Sequence, residues 1–217
     1  MANPADVRCR LCLVTPPTYD AAAFAPRLAD ALAGGDVASF IISASIDDPA
    51  SLQRVAEKLV PIAEARGVAA LIHNDTRVAA RTNADGVHID TGREDLAAAM
   101  ESLRKKKIVG AGNVSSRHDA MELAEVEPDY LFFGRLDGDM ADAIFPKALD
   151  LAAWWSQVTV IPAIVMGGRA LASVDEAARE GIEFVALSAA VWADPRGPAA
   201  AVAEVAERLA SVRESAA

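Results

Sequence analysis

Residues 69–90 read "AALIHNDTRVAARTNADGVHID". An apolar run, Ala69–Ile72, ends in the polar tip His73-Asn74-Asp75. A short amphipathic stretch over 76–83 follows, and a second apolar run begins at Gly86 and ends at Asp90. Continuously apolar runs of this length mark strands buried on both faces, as in parallel sheets. Two of them joined by one helix make a right-handed βαβ unit, so both polar tips fall at the same end of the sheet.

The same alternation extends over the whole chain. Further strands are expected at "RLCLVT" (10–15), "VASFIIS" (37–43), "KIVGAG" (107–112), "YLFFG" (130–134), "TVIPAIVMGG" (159–168) and "FVALSA" (184–189). Helical periodicity fills the gaps, at about 24–33, 50–66, 94–105, 116–126, 146–156, 171–180 and 197–213. Eight strand–helix repeats with short connections match a (β/α)8 TIM barrel, one α/β domain over residues 1–217. A doubly wound open sheet is the alternative, but it leaves two edges, and no strand is blunted by charge or proline. Boundary signals agree. Asp48-Pro49 opens the second helix, Ser115 or Ser116 the fifth, and Ser173 or Asp175 the seventh, while Gly67 and Gly181 close helices. The basic run 104–107 ends the fourth helix, where cations suit the helix dipole, and reads as a solvated cluster.

Composition narrows the partners. The 217 residues are 53% hydrophobic and only 5% aromatic, with net charge −10 and pI near 4.8. Such a surface repels nucleic acid and anionic membrane, so neither is expected as a partner. The N-terminal apolar run is short and broken by Asp6, Arg8 and Arg10, which does not read as a signal peptide, and no segment approaches ~18 uninterrupted apolar residues. A soluble cytoplasmic protein is expected. Cys9 and Cys12 form a C-x-x-C, but three steps along a strand separate the Cα atoms by ~10 Å on opposite faces. A disulfide needs them within ~7 Å, so two packed thiols are expected.

In such a barrel, chemistry sits at the C-terminal strand ends. These carry Thr15, Ser43, the 73–75 tip, His88 and Asp90, Asn113 to His118, Arg135 with Asp137, Asp139 and Asp142, Gly167 to Arg169, and Ser188-Ala189. His73 and Asp75 share a strand face, as do His88 and Asp90. They would serve as hydrogen-bonded rim groups or, less simply, as transition-metal ligands. Trp154 and Trp155 are expected to pack one helix face on the barrel.

The motifs "LIHNDTRVA" (71–79), "NADGVHIDTGREDL" (83–96), "GNVSSRHDAMELAE" (112–125), "PAIVMGGRA" (162–170) and "ALSAAV" (186–191) resemble the thiamine phosphate synthase and thiazole tautomerase family. The resemblance implies thiamine biosynthesis, in which hydroxymethylpyrimidine pyrophosphate and thiazole phosphate are joined and pyrophosphate leaves. It implies Mg²⁺ on Asp75 and Asp95, a pyrophosphate contact at Asn74, and another at Ser116. Asn74, Ser116 and His118 become the catalytic candidates. Gly167, Gly168, Ser188 and Ala189 would bind the phosphate of a small-molecule ligand, and family members are often homo-oligomers. The matching has gaps. The family's strand-two Gln-x-Arg-x-Lys is here Ile41, Ser43 and Ser45, and its strand-six Lys loop is "GRLDGDMADAIFPKA", with no aligned Lys and only Lys147 nearby. Each charge-assisted contact to an anion is worth ~1.5–3 kcal/mol, so weakened pyrophosphate binding is expected. Two alternatives follow: a repurposed barrel that binds a phosphorylated small molecule, and a tautomerase-like isomerase. The tautomerase branch carries a histidine where this chain has Arg135.

Overall fold

The computed structural model describes residues 9–43, 49–103 and 106–216. Residues 1–8, Ser45, Asp48 and the first part of the basic run lie outside them. Eight parallel strands follow one another round a closed ring. They are β1 (Arg10–Val14), β2 (Val37–Ile42), β3 (Ala69–His73), β4 (Gly86–Ile89), β5 (Ile108–Val114), β6 (Tyr130–Phe133), β7 (Ala163–Met166) and β8 (Phe184–Leu187). β8 pairs back onto β1, with Cys12 beside Ala186, so no edge is left. Outside the ring run α1 (Ala21–Ala33), α2 (Pro49–Glu64), α3 (Thr76–Arg81), α4 (Arg93–Leu103), α5 (Arg117–Ala124), α6 (Pro146–Val158), α7 (Val174–Arg179), the short α8 (Ala189–Trp192) and α9 (Pro198–Ala216). The single-domain barrel read from the sequence is the fold observed.

Period-two alternation sorts the strand side chains into two apolar compartments. Cys12, Val14, Ile41, Leu71, Tyr130, Phe132, Ile164, Met166 and Ala186 fill the barrel. Leu13, Phe40, Ile42, Ile72, Phe133, Val165 and Leu187 face the helices. Cys9 belongs to the outer compartment and Cys12 to the inner one. Both are free thiols. Burial pushes Cys9 up to about 12 and Cys12 to about 11, so both are inert near neutrality.

One strand is shorter than its sequence pattern. The apolar run 159–168 supplies only Ala163–Met166 to the ladder. Pro162 has no N–H to donate, although its carbonyl accepts the Leu131 N–H at 3.0 Å as pairing begins. Trp155 on α6 reaches into the same link, where its indole N–H donates to the Ile161 carbonyl at 2.8 Å. Trp154 carries the Arg117 guanidinium 4.8 Å from its ring centre. Among the described residues, no helix is long and apolar enough to cross a membrane.

Candidate functional site

The tips of β1 to β6 surround one open cavity of about 390 Å³, lined by Thr15, Ser43, His73, His88, Asp90, Asn113, Phe132, Arg135 and Asp137, among others. These are the residues that period-two alternation carries inward past the strand ends. The floor is set by His88, which is 1% exposed. Its Nδ1 lies 2.9 Å from the Tyr130 hydroxyl, and the two rings stack with centres 5.8 Å apart. The phenol stays protonated because burial holds its pKa well above the usual value. Burial, helped by the neighbouring His73, drives His88 down to about 3, so the imidazole is neutral at physiological pH. Gly112 makes room for it: a Cβ there would lie 2.6 Å from His88 Nε2.

The rim histidines are hydrogen-bonded, and their partners lie across strands rather than along their own. His73 bonds not to Asp75 but to Asp90 on the next strand, Nε2 to Oδ2 at 2.9 Å. His88 bonds to Tyr130 rather than to Asp90. The parallel register sets His73 beside His88, so the β4 tip passes within reach of the β3 tip. Asn74 locks the crossing. It adopts φ +54°, a left-handed turn that asparagine tolerates. Its amide donates to Asp90 Oδ1 at 2.6 Å, and its Oδ1 accepts the Asp90 N–H at 2.9 Å. Burial opposes ionisation of Asp90, but the bonds from His73 and Asn74 prevail and hold its pKa at about 2. Among the described residues, no group of three or more His, Cys, Asp or Glu side chains could hold a metal. The transition-metal reading of the rim therefore has no support.

The remaining candidates sit around this cavity with other tasks. Asp75 caps α3, its Oδ1 accepting the N–H groups of Arg77 and Val78 at 2.9 and 2.8 Å. Asp95 is exposed in the first turn of α4. Both lie past the C-terminal ends of neighbouring strands. Ser116 caps α5 by accepting the Asp119 N–H at 3.1 Å. His118 is 80% exposed and stands 3.6 Å from Glu122 on the same helix. Asn74, Ser116 and His118 do not line the cavity. Lys147 lines a second, more apolar groove of about 740 Å³ beside the mouth, shared with Met140 and Phe145. Arg135 is not a free cation: its Nε and Nη2 donate to Asp137 at 2.9 and 3.1 Å.

The groups of the four residues expected to cradle phosphate are already engaged within the chain. The Gly167 N–H donates to the Ala186 carbonyl at 2.8 Å. The Gly168 N–H donates to Ser173 Oγ at 3.0 Å. Ser188 Oγ donates to the Thr15 carbonyl at 3.4 Å. The Ala189 N–H donates to Asp139 Oδ2 at 2.5 Å. Asp139 comes from the acidic loop after β6, which lies zippered over the β7 turn by bonds from the Arg169 N–H to the Ala141 carbonyl and from the Ala170 N–H to the Asp142 carbonyl. The fit is close, for a Cβ on Gly168 would lie 2.1 Å from the Asp142 carbonyl oxygen. Burial raises the Asp139 pKa, against the pull of Ala189 and Arg169. An acidic side chain of the chain itself therefore takes up the Ala189 N–H, one of the donors expected for phosphate.

This barrel matches the family model described as thiamine monophosphate synthase over residues 11–191. The chain belongs to that family. It is 35% identical over 207 residues to a thiamine-phosphate synthase of Rhodospirillum centenum, covering 90% of this chain and 95% of the relative. It is 32% identical over 201 residues to a thiamine-phosphate synthase of Hyphomonas neptunium, covering 90% and 91%. The solved structure of a thiamine phosphate pyrophosphorylase from Pyrococcus furiosus superposes with a TM-score of 0.78 at 20% identity, covering 97% of this chain and 99% of that one. At that identity the likeness speaks for the fold alone.

Proposed function

We propose that this chain acts in thiamine biosynthesis as a thiamine phosphate synthase, a transferase that joins hydroxymethylpyrimidine pyrophosphate to thiazole phosphate and releases pyrophosphate. The observation that carries the reading is the near end-to-end match to the synthase relatives, in a barrel whose strand tips open on a cavity of small-molecule size. The pyrophosphate end is weakly held: Ser43 stands where the family has an arginine, and Arg135 is neutralised by Asp137. Mg²⁺ would supply the missing positive charge to the leaving group. Asp75 and Asp95 suit it chemically, because Mg²⁺ takes hard carboxylate oxygens together with substrate phosphates. Asp75 keeps one carboxylate oxygen clear of its capping bonds. Asn74, Ser116 and the 167–168 and 188–189 turns are the substrate contacts of this reading.

Titration with thiazole phosphate, then with pyrimidine pyrophosphate and Mg²⁺, followed by an assay for condensation, tests it. Product that depends on both substrates is expected. Failure to bind either would end the reading, and thiazole phosphate binding without condensation would favour a repurposed barrel. The loop carboxylate gives a second prediction. A phosphate that takes the Ala189 N–H must displace Asp139, so Asp139→Asn is expected to tighten thiazole phosphate binding by roughly 10-fold, the lower end of what one charge-assisted bond is worth. An unchanged Kd would show that the loop does not compete.

A further inference from the structure

Three rim side chains that the condensation does not use form a chain of their own. Ser43 Oγ lies 3.1 Å from His73 Nδ1. His73 Nε2 lies 2.9 Å from Asp90 Oδ2. Asp90, ionised and held by Asn74, can only accept, so the Nε2 position carries the ring proton and Nδ1 presents its lone pair to the Ser43 hydroxyl. Asn74 Nδ2 also stands 3.0 Å from Nε2. With both groups donors, that contact is a shared approach to Asp90 rather than a bond. Nucleophile, base and orienting acid in hydrogen-bonding sequence constitute the arrangement that activates a serine.

The nucleophile is also fixed in place. The Ser43 N–H donates to Thr15 Oγ1 at 2.9 Å, and its carbonyl accepts the Thr15 and Tyr19 hydroxyls at 2.8 and 3.0 Å. Only its side-chain hydroxyl is left to act, and Ser43 lines the open cavity. Arg135 follows β6, diametrically across the ring of eight from β2, and lines the same cavity with Asn113. The Asn113 amide and the Arg135 N–H groups that Asp137 leaves unbonded are the hydrogen-bond donors on that side of the cavity. Asp90 and Asp137 outnumber the one arginine among its lining residues, so without Mg²⁺ an anionic substrate is disfavoured there. The volume, near 390 Å³, suits a small molecule.

We propose that Ser43, His73 and Asp90 form a nucleophilic serine site that hydrolyses small uncharged esters. The Ser43 proton passes to His73 Nδ1 as Oγ bonds to the acyl carbon. The bond to the alcohol breaks, and the alcohol leaves with that proton. Water then gives a proton to Nδ1 and attacks the acyl-serine. The carboxylic acid departs as Ser43 recovers its proton. None of these steps needs the condensation substrates or Mg²⁺.

The test uses the full chain and a fluorophosphonate probe, with the labelled residue found by peptide mass spectrometry. An Oγ–P bond forms, the P–F bond breaks, and the proton leaves with fluoride. One label per chain on Ser43 is expected, together with p-nitrophenyl acetate hydrolysis that Ser43→Ala abolishes. His73→Ala is expected to slow labelling at least ~100-fold, as for loss of a general base. Asp90→Asn should slow it while leaving Ser43 the labelled residue. Circular dichroism and melting of each variant establish that it is folded. Absence of label on Ser43, label on another residue, or equal rates in folded His73→Ala would each overturn the proposal.

Discussion

Protein carrying Trp155→Ala is expected to unfold about 3–5 kcal/mol more easily than the parent, the usual cost of emptying a large buried aromatic site. For a chain of this size that is a fall in Tm of roughly 6–20 °C. Trp155 is fully buried and among the largest side chains that are. Its ring centre lies 6.3 Å from that of Phe133 on β6 and 5.8 Å from that of Trp154. Its N–H holds the Ile161 carbonyl just where the chain turns into β7. Alanine would therefore leave a cavity between helix layer and barrel and also remove the shorter of two bonds on the Ile161 carbonyl, which keeps the Thr159 hydroxyl at 3.2 Å. Trp155→Phe separates the two effects. It keeps most of the packing and loses the bond, and should cost only about 1–3 kcal/mol. Denaturant unfolding with unchanged m-values would measure both. A Trp155→Ala protein within about 1 kcal/mol of the parent would show that the helix layer relaxes into the space and that α6 is not a fixed wall.

The barrel was legible because each strand is buried on both faces and so appears as an unbroken apolar run, as at Leu11–Val14 and Leu131–Phe133. Where the pattern overreached, at 159–162, apolar side chains were present but Pro162 left the ladder without a donor. The strand reading also placed Cys9 and Cys12 on opposite faces, where they lie. The rim was legible as a set of positions but not as a set of bonds. Composition and period place Ser43, His73 and Asp90 on the inner side of adjacent strands. They do not say that Asn74 will take a left-handed turn and draw Asp90 across to His73. The contact of Asp139 with Ala189 was further from reach, since it joins residues 50 positions apart through a loop with no periodicity. A cluster of acids beside an expected anion site was the signal available. The bond that one of them, Asp139, makes to the Ala189 N–H needed coordinates.

The buried histidine gives the largest pH effect. An unfolded His88 binds a proton below about pH 6.5, whereas the folded one, held down chiefly by burial, stays neutral until about pH 3. Between those limits the unfolded state carries more protons, so stability falls as pH falls, by up to about 1.4 kcal/mol per pH unit. The groups facing the ring explain why folding does not relieve this. Tyr130 occupies Nδ1 with a hydroxyl that does not ionise. Phe132 meets it edge-on at 5.2 Å, and His73 stands 5.9 Å away. Asp90, the one neighbour that would favour an imidazolium, is already bonded to His73 and Asn74. The diagnostic window is pH 6.5 to 4.5, above the range in which Asp90, with its pKa held near 2, begins to lose its own stabilising contribution. Denaturant melts across that window should show a loss of roughly 2–3 kcal/mol, which His88→Gln should largely remove. A parent protein equally stable at both ends would mean that the folded ring is protonated, with a hydrogen-bond acceptor for its second N–H, and the floor of the cavity would then be charged rather than neutral.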